Sequence, residues 1–139
     1  MSRGIKNCNP GNIRQSKVFY QGEVQPSQDE SFKQFRSMAW GYRAMFILLD
    51  TYSRRYGLNT IRGMISRYAP PTENNTEAYI AAICERTGLK PDEVLDTRSR
   101  RDMIPVVTAM SRIENGCPAN RHEVEEGFEL TGFECQRSQ

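Results

Sequence analysis

A single histidine, His122, stands in the 139 residues, and none of the four cysteines (Cys8, Cys84, Cys117, Cys135) forms a Cys-x-x-Cys pair. His122 has no partner spacing, so the chain carries no zinc-ligand pattern and no base for a Ser/His/Asp or Cys/His nucleophile. No glycine-rich loop ends in Gly-Lys-Ser/Thr, which removes a phosphate-cradling nucleotide site. The longest apolar run, Ala44–Leu49, is six residues, far short of the roughly twenty that span a bilayer. Met1–Lys6 has charge but no apolar core behind it, unlike a secretory leader. No fixed-period repeat, low-complexity tract or long linker is present. The expectation is a chain made in the cytoplasm, without membrane insertion, metal or cofactor, and with free thiols at Cys8 and Cys84. Cys117 and Cys135 could pair in an oxidising compartment.

What remains is ordinary globular material: 16.0 kDa, 26% charged and 37% apolar residues, enough for one domain spanning residues 1–139 and too apolar for disorder. The net charge of +2 is uneven. Residues 1–72 carry eleven basic and four acidic side chains, whereas residues 73–139 carry eight and thirteen. A basic half suits an anionic partner such as nucleic acid or a bacterial wall polymer. It equally suits a plain solvated surface, because no Lys/Arg run exceeds two residues. The total charge is low for a dedicated nucleic-acid binder, so no specific nucleic acid is expected.

The segment Asn7–Gln34 is rich in Asn, Gly, Gln and Ser and reads as loops with a small hairpin wing. Its strand candidates are Val18–Tyr20 and Ser31–Phe35. Helical periodicity takes over afterwards. Trp40, Ala44, Met45, Leu48, Leu49, Tyr52 and Tyr56 form one stripe, stopped by Gly57. A second helix presents Ile61, Met64, Ile65 and Tyr68 before Pro70-Pro71 ends it. A third starts near Asn74–Asn75, presents Tyr79, Ile80 and Ile83, and stops at Gly88. A fourth runs over about Asp102–Asn115, with Pro105 placed in its first turn. A short fifth covers about Arg121–Leu130. The fold class is therefore mainly α (α+β), about five helices with a small β-hairpin. Its core should include Met45, Leu48, Leu49, Ile61, Ile65, Ile80, Ile83, Val107 and Met110.

The fourth helix carries the clearest chemical signal. Ile104, Val107, Met110, Ser111 and Glu114 share one face, which ends in a carboxylate just before Asn115-Gly116. The negative end of the helix dipole and apolar neighbours both favour the protonated form of such a group, as a general acid requires. A frayed helix end with Glu114 in water fits the same pattern. Asn9–Arg14 is a turn by composition. Pro70–Thr76 sets Glu73, Asn74 and Asn75 beside Tyr68 and Tyr79. Amides and carboxylates next to aromatic faces suit sugars, although Asn74 and Asn75 also serve as helix caps.

In combination, Asn-Pro-Gly-Asn-Ile-Arg (9–14), Phe-x-x-Phe (32–35), Trp-Gly-Tyr-Arg-Ala-Met (40–45), Asn-Thr-Ile-Arg (59–62), Tyr-Ala-Pro-Pro-Thr-Glu-Asn-Asn-Thr (68–76) and Ile-Glu-Asn-Gly (113–116) resemble bacteriophage virion proteins. These are known as structural proteins or virion-associated muramidases with a lysozyme-like fold. A looser likeness is to flagellar-type glucosaminidases, which share the Asn-containing turn, the Phe-containing strand and the Tyr-Ala-Pro segment in this order. Here the Glu-Asn-Gly helix comes last instead of first, similar to a circular permutation of the lysozyme fold with Glu114 in the place of the catalytic acid.

The resemblance implies a peptidoglycan-cleaving muramidase, either a lysozyme or a lytic transglycosylase, needing no cofactor. Glu114 would protonate the leaving glycosidic oxygen. Asn12, Arg14, Tyr68, Glu73, Asn74 and Tyr79 are the expected substrate contacts, with Glu114 on the floor of a cleft between Asn9–Arg14 and Tyr68–Tyr79. A lysozyme needs a second carboxylate, for which Glu23 and Glu73 are the candidates; a transglycosylase needs none, and no obvious Asp partner stands out. The implied partners are peptidoglycan and other virion proteins, reached in the periplasm or wall by particle delivery or holin release. A different class is a non-catalytic virion or wall-binding module that kept the fold. A peptidase is disfavoured for want of a nucleophile with a base or a metal constellation.

Overall fold

The computed structural model describes residues 1–134. Six helices and a two-stranded antiparallel sheet follow in the order α1 (Arg3–Lys6), β1 (Glu23–Val24), β2 (Gln34–Phe35), α2 (Met38–Tyr56), α3 (Ile61–Tyr68), α4 (Thr76–Thr87), α5 (Arg100–Asn115) and α6 (Arg121–Thr131). The chain is thus mainly helical with a small β-hairpin, and among the described residues no helix is long and apolar enough to cross a membrane.

Local chemistry sets the helix ends. Ser37, Thr60, Asn75, Ser99 and Asn120 each accept a backbone N–H of the first turn, starting α2 to α6, because the first N–H groups of a helix have no internal partner. Helix α2 closes with paired bonds from the Gly57 N–H to the Ser53 carbonyl (2.9 Å) and from the Leu58 N–H to the Tyr52 carbonyl (3.2 Å). Helix α5 begins at Arg100, two residues earlier than expected, so Pro105 falls beyond the first turn. The proline costs the exposed Arg101 carbonyl its helical partner.

Helix α2 is the centre of the molecule. It packs most extensively on α6 and also touches α3, α5 and β2, while α4 lies on α3 and α5. Tyr42, Phe46 and Leu49 of α2 are fully buried with Met103, Val107 and Met110 of α5. Phe46 meets Phe128 of α6 edge-to-face at 5.2 Å. Tyr42 and Ser111 share a buried hydroxyl–hydroxyl bond of 2.8 Å. The α2–α6 approach depends on Gly127, where a Cβ would lie 2.6 Å from the Cβ of Tyr42 and 2.8 Å from the Ala39 carbonyl oxygen.

Eight of the nine expected core residues are buried; Leu48 is only partly so, because its side of α2 lines a cleft. Conversely, Tyr42 and Phe46 lie off the expected stripe, and α2 is apolar on more than one side because α5 and α6 also cover it.

The hairpin differs from expectation. Glu23 pairs with Phe35 and Val24 with Gln34, plus an isolated Arg14–Phe32 bridge, whereas Val18–Tyr20 forms no strand. The reason is Lys33. Its fully buried ammonium donates to the carbonyls of Val18 (2.8 Å) and Ser16 (3.4 Å) and to Glu23 (3.0 Å). A side chain thus takes the acceptors that a neighbouring strand would use. Helix α1 was not foreseen either, since four residues are too short for periodicity; Ser2 caps it through the Ile5 N–H. Among the described residues Cys8, Cys84 and Cys117 form no disulfide, and the pairing considered for Cys117 with Cys135 lies outside them.

Candidate active site

The site is assembled where the C-terminal end of α5 meets the first turn of the chain. Gly116, in the left-handed conformation at φ 71°, stops α5 directly after Asn115. Asn115 then fastens the helix end to the N-terminal segment. Its amide donates to the Pro10 carbonyl (2.9 Å), and its side-chain oxygen accepts from Ser2 (2.7 Å). The turn itself is built around buried Asn9, whose side chain bonds both the N–H and the carbonyl of Ile13 and the carbonyl of Lys33. This arrangement holds Asn12 at φ +51°, a conformation that Asn adopts more readily than most residues. Its Nδ2 donates to Glu114 Oε1 at 2.8 Å.

The second partner comes from α4. Tyr79, 8% exposed, donates its hydroxyl to Glu114 Oε2 at 2.8 Å. Burial, with the nearby Tyr68 and Glu114 adding to it, pushes the Tyr79 phenol far up, so it stays protonated and acts as a donor. Tyr68 is pushed up likewise, first by burial and then by the Glu114 charge, and donates to the Gly11 carbonyl. Gly11 is tightly enclosed by Tyr68 and by Met45, whose Cγ would stand 2.9 Å from an added Cβ.

In front of these groups lies a cleft of about 950 Å³. Gly11–Ser16 and Val18–Gln21 form one wall. The α2 residues Leu48, Tyr52 and Arg55 form the base, and Arg67–Pro70 with Glu73 and Asn74 form the opposite wall. Asn12, Arg14, Tyr68, Glu73, Asn74 and Glu114 all line this space. Tyr79 lies outside the lining and reaches Glu114 from within the fold. Arg14 pairs with Glu73 at 3.0 Å, joining the two walls. Asn74 donates to the Pro70 carbonyl of its own loop (3.2 Å), while Asn75 alone caps α4.

Glu23 is not in this cleft. Its side chain is fully buried against Lys33, and its oxygens also accept from the Tyr20 N–H and the Gln25 amide. Every position around that carboxylate is spent on structure, which removes it from the cleft chemistry. Among the described residues, no three His, Cys, Asp or Glu side chains converge as metal ligands.

Sequence reasoning missed the arginines of the cleft, Arg43, Arg55 and Arg67. A signal was present. Arg43, Ile47, Thr51 and Arg55 recur every four residues along α2, a line with three polar members beside a stripe that otherwise reads as core. Glu114 has one donor on each carboxylate oxygen and no cationic partner among the described residues. Each oxygen keeps a second lone-pair direction, on which a proton can be held and passed to a group in the cleft.

No family model matches the chain. Over 132 residues it is 36% identical to protein P5 of Pseudoalteromonas phage PM2, a match that takes in 92% of this chain and 81% of that protein. The chain therefore belongs to the family of phage protein P5.

Proposed function

We propose that the protein cleaves the MurNAc–GlcNAc glycosidic bond of peptidoglycan, with Glu114 as general acid, as a lytic transglycosylase. The observation that carries this reading is the Glu114 carboxylate in the cleft lining, oriented by Asn12 and Tyr79 and free of any cationic partner among the described residues. Protonated Glu114 gives its proton to the bridging oxygen as the C1–O bond breaks and oxocarbenium character develops on the muramyl ring. The muramyl 6-hydroxyl then closes onto C1, and its proton returns to the Glu114 carboxylate. One carboxyl group thus serves both half-steps.

The state of the other two carboxylates favours this route over hydrolysis. Glu23 is locked to Lys33 and lies outside the cleft, and Glu73 is paired with Arg14. The volume of about 950 Å³ is near the top of the roughly 300–1,000 Å³ range of ligand sites, which suits a segment of a polymer. The phage relative supports a phage setting, with virion proteins as partners and delivery to the wall by the particle or through a holin.

Zymography on peptidoglycan, followed by mass spectrometry of the products, tests the reading. Anhydro-muramyl ends are expected from the unmodified protein, and reducing ends would assign a hydrolase instead. Glu114→Gln should lower turnover on the order of 10²–10⁴-fold while folding survives, because the transferable proton is gone. Glycan left intact by the unmodified protein, with binding retained, would favour a non-catalytic wall-binding module.

A further inference from the structure

The cleft has a second chemical feature away from Glu114. Six charged side chains line it: Arg14, Arg43, Arg55, Arg67, Glu73 and Glu114. Arg14 is neutralised by Glu73, and Arg43 uses its Nε on the Leu130 carbonyl (3.3 Å). Arg55 and Arg67 have no ion pair and no hydrogen bond among the described residues.

These two cations are nevertheless held in place. The Arg67 guanidinium lies 3.8 Å from the ring centroid of Tyr56 and 5.5 Å from that of Tyr52, and the Arg55 guanidinium lies 5.8 Å from Tyr56. Arg55 comes from the last turn of α2 and Arg67 from the last turn of α3. Each helix end favours one cation through its dipole. Dipoles alone do not explain why both cations converge on one tyrosine. Sharing that ring places them within about 10 Å, one Debye length at 0.1 M salt, so they repel each other unless an anion joins them. Both arginines line the cleft and spend no N–H donor on a described protein acceptor, so their guanidinium forks are available to a ligand there. Such a fork matches a carboxylate with two parallel bonds.

We propose that Arg55 and Arg67, stacked on Tyr52 and Tyr56, form a carboxylate-binding subsite that makes the cleft selective for acid-bearing glycan over neutral glycan. The identity of the glycan rests on the muramidase reading. In that substrate the carboxylates are those of the stem peptide; the lactyl carboxyl is spent in the amide bond to the peptide and becomes a carboxylate only where the peptide has been removed. N-acetylglucosamine polymers carry neither. The subsite acts in binding, at a distance from the proton transfer by Glu114.

The test is binding by the full-length Glu114→Gln protein, with and without Arg55→Ala/Arg67→Ala, measured by calorimetry on three glycans. These are peptidoglycan strands with stem peptides, strands stripped of peptides by an amidase, and neutral N-acetylglucosamine oligomers. Both arginines are exposed, and circular dichroism and thermal melting check that the variant folds. The expected result is a Kd raised roughly 10–100-fold for stem-bearing strands, as for loss of charge-assisted hydrogen bonds, with neutral oligomers unchanged. A loss on stripped strands as well shows that the subsite also takes the lactyl carboxylate freed by the amidase, and no loss there assigns the stem peptide. Should the double variant melt early, Arg55→Gln/Arg67→Gln and a salt titration of the parent give the same reading, since only carboxylate-bearing glycan should weaken with salt. Equal loss on all three glycans, or no loss on any, overturns the subsite. So does binding of a single-stranded oligonucleotide through the same arginines in preference to glycan. Catalytic failure is a separate outcome: a parent protein that cleaves nothing, yet shows this arginine-dependent preference, keeps the subsite and loses the enzyme.

Discussion

Glu114 is held by two donors from distant parts of the chain, Asn12 at a separation of 102 residues and Tyr79 at 35. Its position at the end of a buried helical face was legible, because periodicity along α5 and the Asn115-Gly116 stop fix it. Its surroundings were not. Nothing in the pattern along α5 names the two donors that reach its carboxylate, Asn12 and Tyr79. Asn12 was singled out, but nothing in a turn of Asn, Gly and Pro says where its amide points. Tyr79 is the sharper case, since it was chosen as a sugar contact and instead lies behind the acid. Removing its hydroxyl takes from Glu114 Oε2 the donor that reaches it from within the fold. Tyr79→Phe should therefore lower stability by about 0.5–1.5 kcal/mol, the net worth of a typical hydrogen bond, because the part-buried oxygen faces the cleft. Urea unfolding with an unchanged slope is the measurement. A loss below about 0.5 kcal/mol would mean that solvent already serves that oxygen.

At the scale of elements, all five helices beyond α1 were readable to within about two residues, because each has a capping side chain before it and a period of 3.6 within it. The hairpin was misplaced because Lys33 sits in a run that looks like an ordinary strand, and its burial depends on Glu23 ten residues earlier. The pair fixes the loop that forms one wall of the cleft, through Ser16, Val18 and Tyr20. Lys33→Met leaves the Glu23 charge buried and unpaired and should cost about 3–5 kcal/mol. Lys33→Met/Glu23→Leu should recover a large part of that loss, because both charges then vanish together. Chemical denaturation of the two variants decides it, and an equal loss in both would mean that the carbonyls, not the charge, dominate. The α2–α6 seam gives a second test. Gly127→Ala forces a methyl against Tyr42 and the Ala39 carbonyl, an overpacking that should cost about 1–3 kcal/mol. A thermal midpoint unchanged by this substitution would show that the helices separate without penalty.

Over the whole molecule, five of the six tyrosine hydroxyls are drawn inward, Tyr56 being exposed. Burial holds the Tyr20 phenol up to about 12 and pushes those of Tyr42, Tyr52, Tyr68 and Tyr79 upward as well. An unfolded tyrosine ionises near pH 10. A folded-state value above that contributes stability that is fully present below about pH 10 and is lost as pH rises through the folded value, since only the unfolded chain gains by releasing the proton. Five such groups acting together should produce cooperative unfolding between about pH 10 and 12. Tyrosinate absorbance and loss of helical circular dichroism should then rise in step. Free ionisation of these five with the helices intact would contradict their burial. Charge asymmetry along the chain was visible in the sequence, but its convergence on Tyr56 from α2 and α3 was not, because it depends on how those two helices cross.

The fastening of Asn115 to Pro10 and Ser2 also bears on the order in which the protein is made. A ribosome delivers Asn12 first and Glu114 after a further 102 residues, so the nascent polypeptide holds half a site while that stretch is made. A product cut short between Arg67 and α5 has the turn and the arginines but no acid. The acid cannot work without the turn either, because the turn supplies the Asn12 amide that orients it. Translation itself is then a timer: the reactive constellation exists only in chains that have been made through α5.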